Sequence, residues 1–275
     1  MTRLDIELVN RQICQTRSKA QMEIKNSNIL VNGKIIIKPS FDVNIEDVIT
    51  LNHEVLKYVS RGGLKLEKAI LVFKINLTNK IMLDIGASTG GFTDCALNNK
   101  IKEVVCVDVG SNQLDETIRN NEKVHVFENT DIRNFDNPLL SNIDIVTIDV
   151  SFISVTKIVD KLNIINAKEI ICLIKPQFEC GKTIADKYKG IVLDKEVHEK
   201  VIKNVVNSFK EINYNLKNIT FSPIKGGNGN IEYLAYFTKK EINNTINFGD
   251  LVSTTFKIME EKLNILNKKW ILQKI

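Results

Sequence analysis

The sequence predicts an α/β protein in which a doubly wound parallel sheet follows a small α+β module. Three observations carry that reading. From residue 80 onward, unalternating apolar runs (KIMLDIG, EVVCVDVG, KVHVFEN, IDIVTIDV, EIICLIKP and later EYLAYF) recur with helical stretches between most of them, the pattern of a parallel sheet covered on both faces. Near the start, Asn32-Gly33 joins two β-branched runs, the strongest two-residue hairpin signal because both positions tolerate positive φ. Between these regions, Gly62-Gly63 breaks the pattern ahead of a helix.

Taken in order, residues 3–9 and 18–28 carry helix-spaced apolar positions, with Ala20, Met22 and Ile24 available to a core. The hairpin follows, then Pro39 and a short strand near 48–51. A domain over 1–57, a linker over 58–63 and a second domain over 64–275 are expected. In the second, helices are predicted over 93–98, 115–119 and 195–212, the last with Val197, Val201, Val205 and Phe209 on one face.

The 275 residues include 38 Lys and Arg against 33 Asp and Glu, a mild excess that by itself selects no partner. Its distribution says more. Residues 1–40 hold Arg3, Arg11, Arg17, Lys19, Lys25, Lys34 and Lys38 against Asp5, Glu7 and Glu23, the footprint of phosphate-backbone binding on a small module. No run approaches the roughly 20 apolar residues that cross a bilayer, and no secretory leader is visible, so a cytoplasmic protein is expected. Cys14, Cys95, Cys106, Cys172 and Cys180 lie far apart, and His53, His125 and His198 have no ligand spacing. Neither a disulfide framework nor a metal is expected.

The first strand of the second domain runs into Asp84-Ile85-Gly86-Ala87-Ser88-Thr89-Gly90-Gly91-Phe92. Such a turn at the carboxyl edge of an open α/β sheet is where ligands bind. Ala87 and Ser88 stand where a dinucleotide loop has its second glycine, which disfavours an NAD-dependent oxidoreductase. The next strand ends in Asp108, about 20 residues on, where a carboxylate can receive both ribose hydroxyls. A third ends near Asp131, which could accept from an adenine amino group. The occupant expected is a ribose-bearing cofactor.

The fourth and fifth strands end in Asp149 and Lys175, so both side chains should emerge at the same edge. Lys65 lies at a helix start, where a cation opposes the helix dipole and folding offers no reason for it. Glu232 opens a late strand after Gly226-Gly227-Asn228-Gly229-Asn230.

The succession of glycine loop, Asp108 and Asp131 resembles the S-adenosylmethionine pocket of Rossmann-like methyltransferases. Lys65, Asp149, Lys175 and Glu232 match one by one the Lys-Asp-Lys-Glu tetrad of FtsJ-like ribose 2′-O-methyltransferases. The segments SRGGLKL, DIGASTGGF, DVSFIS, KPQFE and GGNGN look like the TlyA (hemolysin-A) branch. Residues 1–57 resemble the RNA-binding domain named after ribosomal protein S4, on Arg17–Ile24 and Val31–Gly33.

The resemblance implies a Rossmann-like S-adenosylmethionine-dependent methyltransferase domain behind an α+β RNA-binding domain, methylating the ribose 2′-oxygen of ribosomal RNA or ribosomal subunits. It implies Lys65, Asp149, Lys175 and Glu232 as catalytic. Asp84, Gly86, Ser88, Gly90, Gly91, Phe92, Asp108 and Asp131 would bind the cofactor, and Arg3, Arg11, Arg17, Lys19, Lys25 and Arg61 the RNA. Lys175 would contact the 2′-oxygen either as a neutral amine or as a cation. Two rivals stand beside this reading: a non-catalytic RNA-binding or ribosome-assembly factor, and a membrane-lytic protein of the kind the hemolysin name suggests.

Overall fold

The computed structural model of the chain describes all residues except 15, 26–27, 52–56, 227–228, 244 and 273–275, together with the side chains of 18, 19, 22 and 262–272. The expectations for Lys19 and His53 therefore lie outside the described residues, as do two positions of the GGNGN segment. The chain divides into two compact units, Met1–Lys57 and Tyr58–Ile275.

In the first unit, β1 (Thr2–Arg3) leads into α1 (Leu4–Asn10) and α2 (Arg17–Lys25), followed by β2 (Ile29–Val31), β3 (Lys34–Ile35), β4 (Asp42–Val43) and β5 (Ile49–Leu51). β2 pairs antiparallel with both β3 and β5. Asn32 and Gly33 form the predicted turn at φ 50° and 77°, the double positive φ of a type I′ hairpin. Leu4, Leu8, Ala20, Ile24, Ile29, Val31 and Val43 close a small core.

The second unit opens with Tyr58 rather than with a linker. Tyr58 is buried, the Val59 amide donates to Asp94, and α3 (Gly62–Phe73) begins immediately after. Gly63 lies flat on the Tyr58 ring, where a Cβ would overlap it.

There follow β6 (Ile81–Ile85), α4 (Gly91–Asn98), β7 (Glu103–Val107), α5 (Glu116–Arg119), β8 (Val124–Phe127), β9 (Ile145–Ile148), α6 (Val159–Ile165) and β10 (Glu169–Ile174). After these come α7 (Pro176–Glu179), α8 (Lys182–Lys187), α9 (Lys195–Glu211), β11 (Asn215–Phe221), β12 (Tyr233–Thr238) and α10 (Phe248–Leu272). They build one seven-stranded sheet of order β11-β12-β10-β9-β6-β7-β8. Within it, Leu83, Ile85, Val105, Val107, Val146 and Ile148 join the core with α6 and α9 residues such as Leu162, Val201 and Phe209. Their neighbours Met82, Val104, Cys106 and Ile145 join Leu66, Ala69, Phe92 and Cys95 of α3 and α4. Two covered faces are the reason the strands do not alternate.

The parallel expectation fails at one strand. The run EYLAYF forms β12, which lies antiparallel between β10 and β11. β11 and β12 pair as an antiparallel ribbon, so the chain returns along β10 in the opposite sense. The consequence is positional: a residue just before β12 stands at the carboxyl edge of the parallel strands, where a parallel β12 would have sent it to the opposite edge.

Candidate active site

The carboxyl ends of β6, β7, β9 and β10 and the start of β12 converge on two cavities of about 850 and 640 Å³. They share Gly86, Ser88, Asp149, Ser151 and Phe152 as walls. Gly86 sits at φ +84°, and a Cβ there would lie 2.7 Å from the Asp149 carbonyl oxygen, so only glycine lets β6 leave the sheet this close to β9.

Asp108 lines the smaller cavity. Its carboxylate accepts from the Ser88 amide at 2.8 Å and the Gly110 amide at 2.7 Å. A carboxylate has about four acceptor positions, so it can still receive two ribose hydroxyls. Asp131 lines the same cavity, with its carboxylate held by Arg133 at 2.5 Å, which keeps it below its ordinary range. With the close backbone approach at Gly86, this wall fits an adenosine-bearing cofactor.

The larger cavity holds the charged cluster. Register explains how it forms: Ile85 pairs with Ile148, Cys172 with Ile148, and Ile174 with Tyr233. Asp149, Lys175 and Glu232 each stand one residue beyond these paired positions, at one edge. Lys65 reaches them from the first turns of α3. Lys65 Nζ lies 3.3 Å from Asp149 Oδ2 and 2.9 Å from Glu232 Oε2, and Lys175 Nζ lies 2.5 Å from Asp149 Oδ1. Lys175 also donates to Ser151 Oγ at 2.8 Å.

Lys65, Lys175 and Glu232 are all buried. Burial alone would push the Lys65 ammonium down, but Asp149 and Glu232 outweigh it and hold it above its ordinary range. Burial likewise works to raise Asp149, and the two lysines overcome it and keep the carboxylate low. The result is a solvent-poor chain of alternating charge, Lys175, Asp149, Lys65 and Glu232.

Several expected residues lie elsewhere. Asp84 is inside β6, opposite Cys106 and Thr147. It is fully buried, its carboxylate taken by the Thr93 and Thr147 hydroxyls at 2.7 and 2.8 Å, so it supports the loop from behind and does not face the cofactor cavity. Gly90 caps α4 at φ +91° against Leu114 and Ile118 and lines neither cavity. Gly91, Phe92 and Arg61 line the larger cavity.

In the first unit, Asp5 is fully buried and binds Arg3 and Arg17, each at 3.0 Å. Arg11 grips Glu7 at 2.8 Å and donates to the carbonyls of Asn44, Ile45 and Asp47. Arg11 is a structural staple, and the charge left for phosphate is smaller than the residue count implies. Lys25 is exposed.

Sequence reasoning passed over Ser151, Phe152 and Gln177, all in the larger cavity. Phe152 is 92% exposed at φ 66° and rests on Phe178 with ring centroids 5.1 Å apart. A bulky aromatic held in that conformation on a rim is unusual. The signal available was adjacency, since these residues sit within two or three positions of Asp149 and Lys175 in DVSFIS and KPQFE.

Comparison with known proteins agrees with this geometry. The chain matches the FtsJ-like methyltransferase family over residues 58–239 and the S4 domain over 2–49. It is 43% identical to YqxC of Bacillus subtilis, an rRNA methyltransferase by name, over 85% of this chain and 84% of that one. It is 37% identical to the 23S rRNA (cytidine-2′-O)-methyltransferase TlyA of Campylobacter jejuni, over 84% of this chain and 97% of that one. A Streptococcus thermophilus structure solved under a hemolysin name superposes with a TM-score of 0.74 at 35% identity, over 95% of this chain and 98% of that one. Among the described residues no helix is long and apolar enough to cross a membrane. The chain is thus an S-adenosylmethionine-dependent enzyme that belongs to the FtsJ-like methyltransferase family, with an S4 domain ahead of the catalytic one.

Proposed function

We propose that the protein methylates a ribose 2′-oxygen of ribosomal RNA, in the free RNA or in a ribosomal subunit, and works in the cytoplasm. The observation that carries this reading is the chain of Lys175, Asp149, Lys65 and Glu232 beside the cofactor loop. Methyl transfer to an alcohol needs alignment and a group that steers a weak nucleophile, and that cluster supplies both. Relatives named as rRNA 2′-O-methyltransferases support the substrate class, as does an S4 domain at the N-terminus. RNA carries the 2′-hydroxyl that DNA lacks.

When bound, S-adenosylmethionine supplies a methyl group on a positively charged sulfur. The protein's part is positional. Asp108 and Asp131 would hold the adenosine, and Gly86 lets the cofactor approach the backbone beside Asp149. Lys175 donates to Asp149 and Ser151, which leaves its third N–H for the attacking 2′-oxygen and turns a lone pair of that oxygen toward the methyl. The new C–O bond would replace the methyl–sulfur bond, with the neutral thioether S-adenosylhomocysteine as leaving group, and the hydroxyl proton, made acidic by that bond, would pass to water. Lys65, itself paired with Glu232, holds Asp149 so that Lys175 cannot swing away. Such alignment is worth up to about 7–11 kcal/mol in well-oriented systems. Phe152 offers an exposed ring on which the target base can stack.

The test is incubation with ribosomal RNA or subunits and labelled S-adenosylmethionine, followed by alkaline digestion. Ribose methylation removes the internal nucleophile, so the labelled linkage resists cleavage. Label found only in alkali-labile nucleotides would refute the assignment.

A further inference from the structure

Phe152 stands in the connection between β9 and α6, at φ 66° and on the walls of both cavities. A bulky side chain in the left-handed region is strained, and such a conformation persists only where the surroundings over-determine it. Its ring leans on Phe178 but is otherwise open to solvent, so packing of the ring does not impose the conformation.

The restraint comes from α7. Lys175, the N-cap of α7, donates to Ser151 Oγ at 2.8 Å, on one side of Phe152. Glu179, the last residue of the same helix, reaches the other side. Its carboxylate accepts from Ser154 Oγ at 2.5 Å and from the Val155 amide at 2.8 Å. One short helix thus fixes residues 151 and 154–155, with Phe152 and Ile153 between them. The helical turn Val155–Ile158 that begins here already has a cap of its own, because Ser154 Oγ receives the Thr156 amide. The carboxylate is a second tie on the same stretch of chain, and it is a charged group that the methyl-transfer step does not use.

On the reading that the second substrate is RNA, an exposed ring beside the charged cluster is a stacking surface, since every base has a π-face. We infer that Glu179 is a positioning residue that acts through Phe152: by tying Ser154 and Val155 to α7, it holds the ring on the rim before RNA arrives. The target base then meets an oriented surface, and binding does not have to order the turn.

The test uses the full-length enzyme at saturating S-adenosylmethionine and compares kcat/KM for ribosomal RNA or subunits. Phe152→Ala should lower it by about tenfold or more, the loss expected of one stacked base. Glu179→Met, which keeps the length and removes both oxygens, should lower it by about tenfold as well. Glu179→Gln should stay within about twofold of the wild type, because its carbonyl still accepts from Val155 and its amide can donate to Ser154 Oγ. The deciding measurement is the double variant: in the Phe152→Ala background, Glu179→Met should cost no more than about a further twofold. Glu179→Asp, which keeps the charge and withdraws the carboxylate by one methylene, should behave as Glu179→Met does and serves if that variant folds poorly.

A carboxylate that merely stabilises the Val155–Ile158 turn would slow the Phe152→Ala enzyme by the same factor as the wild type, and that additivity overturns the inference. So does full activity in Glu179→Met or in Phe152→Ala, or a Glu179→Gln variant as slow as Glu179→Met. Absence of ribose methylation by the wild type overturns instead the reading on which it rests.

Discussion

Lys175 Nζ sits 2.5 Å from Asp149 Oδ1, and Asp149 in turn shares its other oxygen with Lys65 at 3.3 Å. The two lysines are therefore not equivalent to their shared carboxylate. Removing Lys175 leaves Asp149 paired with Lys65, whereas removing Asp149 takes a carboxylate from both buried lysines and leaves Lys175 with only the neutral Ser151 hydroxyl as a hydrogen-bond partner among the described residues. We expect Lys175→Ala to fold normally and to bind S-adenosylmethionine within about threefold of wild type, while turnover falls by about a thousandfold or more. Asp149→Ala should lose turnover and about 3 kcal/mol of stability as well. Calorimetric cofactor titration and denaturant melts separate the two; normal methylation by Lys175→Ala would remove that residue from the mechanism.

Asp108 holds the Ser88 and Gly110 amides and faces the cofactor cavity. Asp108→Ala should raise the dissociation constant for S-adenosylmethionine by about 10- to 100-fold, the worth of hydrogen bonds to a charged group. At saturating cofactor it should recover most of its turnover. A dissociation constant that does not move would take the ribose away from this carboxylate.

Asp84 should declare itself through pH rather than through catalysis. Burial pushes its carboxyl up to about 6 from 3.8, partly offset by the Thr93 and Thr147 hydroxyls. The folded protein thus binds this proton more tightly than the unfolded chain. Its contribution is fully present below about pH 4 and is lost as pH rises through about 6, a change of about 3 kcal/mol. Asp84→Asn should flatten the stability profile across that window, measured by urea melts between pH 4 and 7. A profile unaffected by the substitution would contradict the shift.

Gly86 joins two failures in one residue. Gly86→Ala meets the Asp149 carbonyl and strains a backbone at φ +84°. Displacing Asp149 by a fraction of an ångström should cost turnover about 100-fold and weaken cofactor binding at the same time. Steady-state kinetics with both substrates varied would show whether the two losses travel together.

In the first unit, Arg11 and Lys25 should behave oppositely. Arg11→Ala removes the staple on the carbonyls of Asn44, Ile45 and Asp47, so it should lower that unit's melting midpoint by about 5 °C and leave the salt dependence of RNA binding intact. Lys25→Ala, on an exposed position, should leave melting intact and reduce the salt slope by about one unit if it meets a phosphate. Filter binding of ribosomal RNA across a salt series distinguishes them.

Most of the architecture was legible because its causes are local. Unalternating apolar runs signal strands covered on both faces, and Asn32-Gly33 signals its turn through φ alone. The tetrad was legible through resemblance, and Asp149 and Lys175 also through their place at the ends of apolar strands. Asp84 misled for a related reason: it stands one residue before the end of β6 instead of beyond it, which turns a cavity carboxylate into a buried one. A residue count could not see that Glu7 and three backbone carbonyls claim the Arg11 guanidinium.

By itself, then, the sequence determined the order and kind of the elements, the glycine loop and which charged residues follow which strands, since short-range backbone preference and apolar period decide these. Only the tertiary structure decided how Glu232 comes to lie against Lys65. That meeting depends on β12 running antiparallel to β10, a choice of strand pairing between distant segments, and strand direction alone sets the edge at which the residue before a strand emerges.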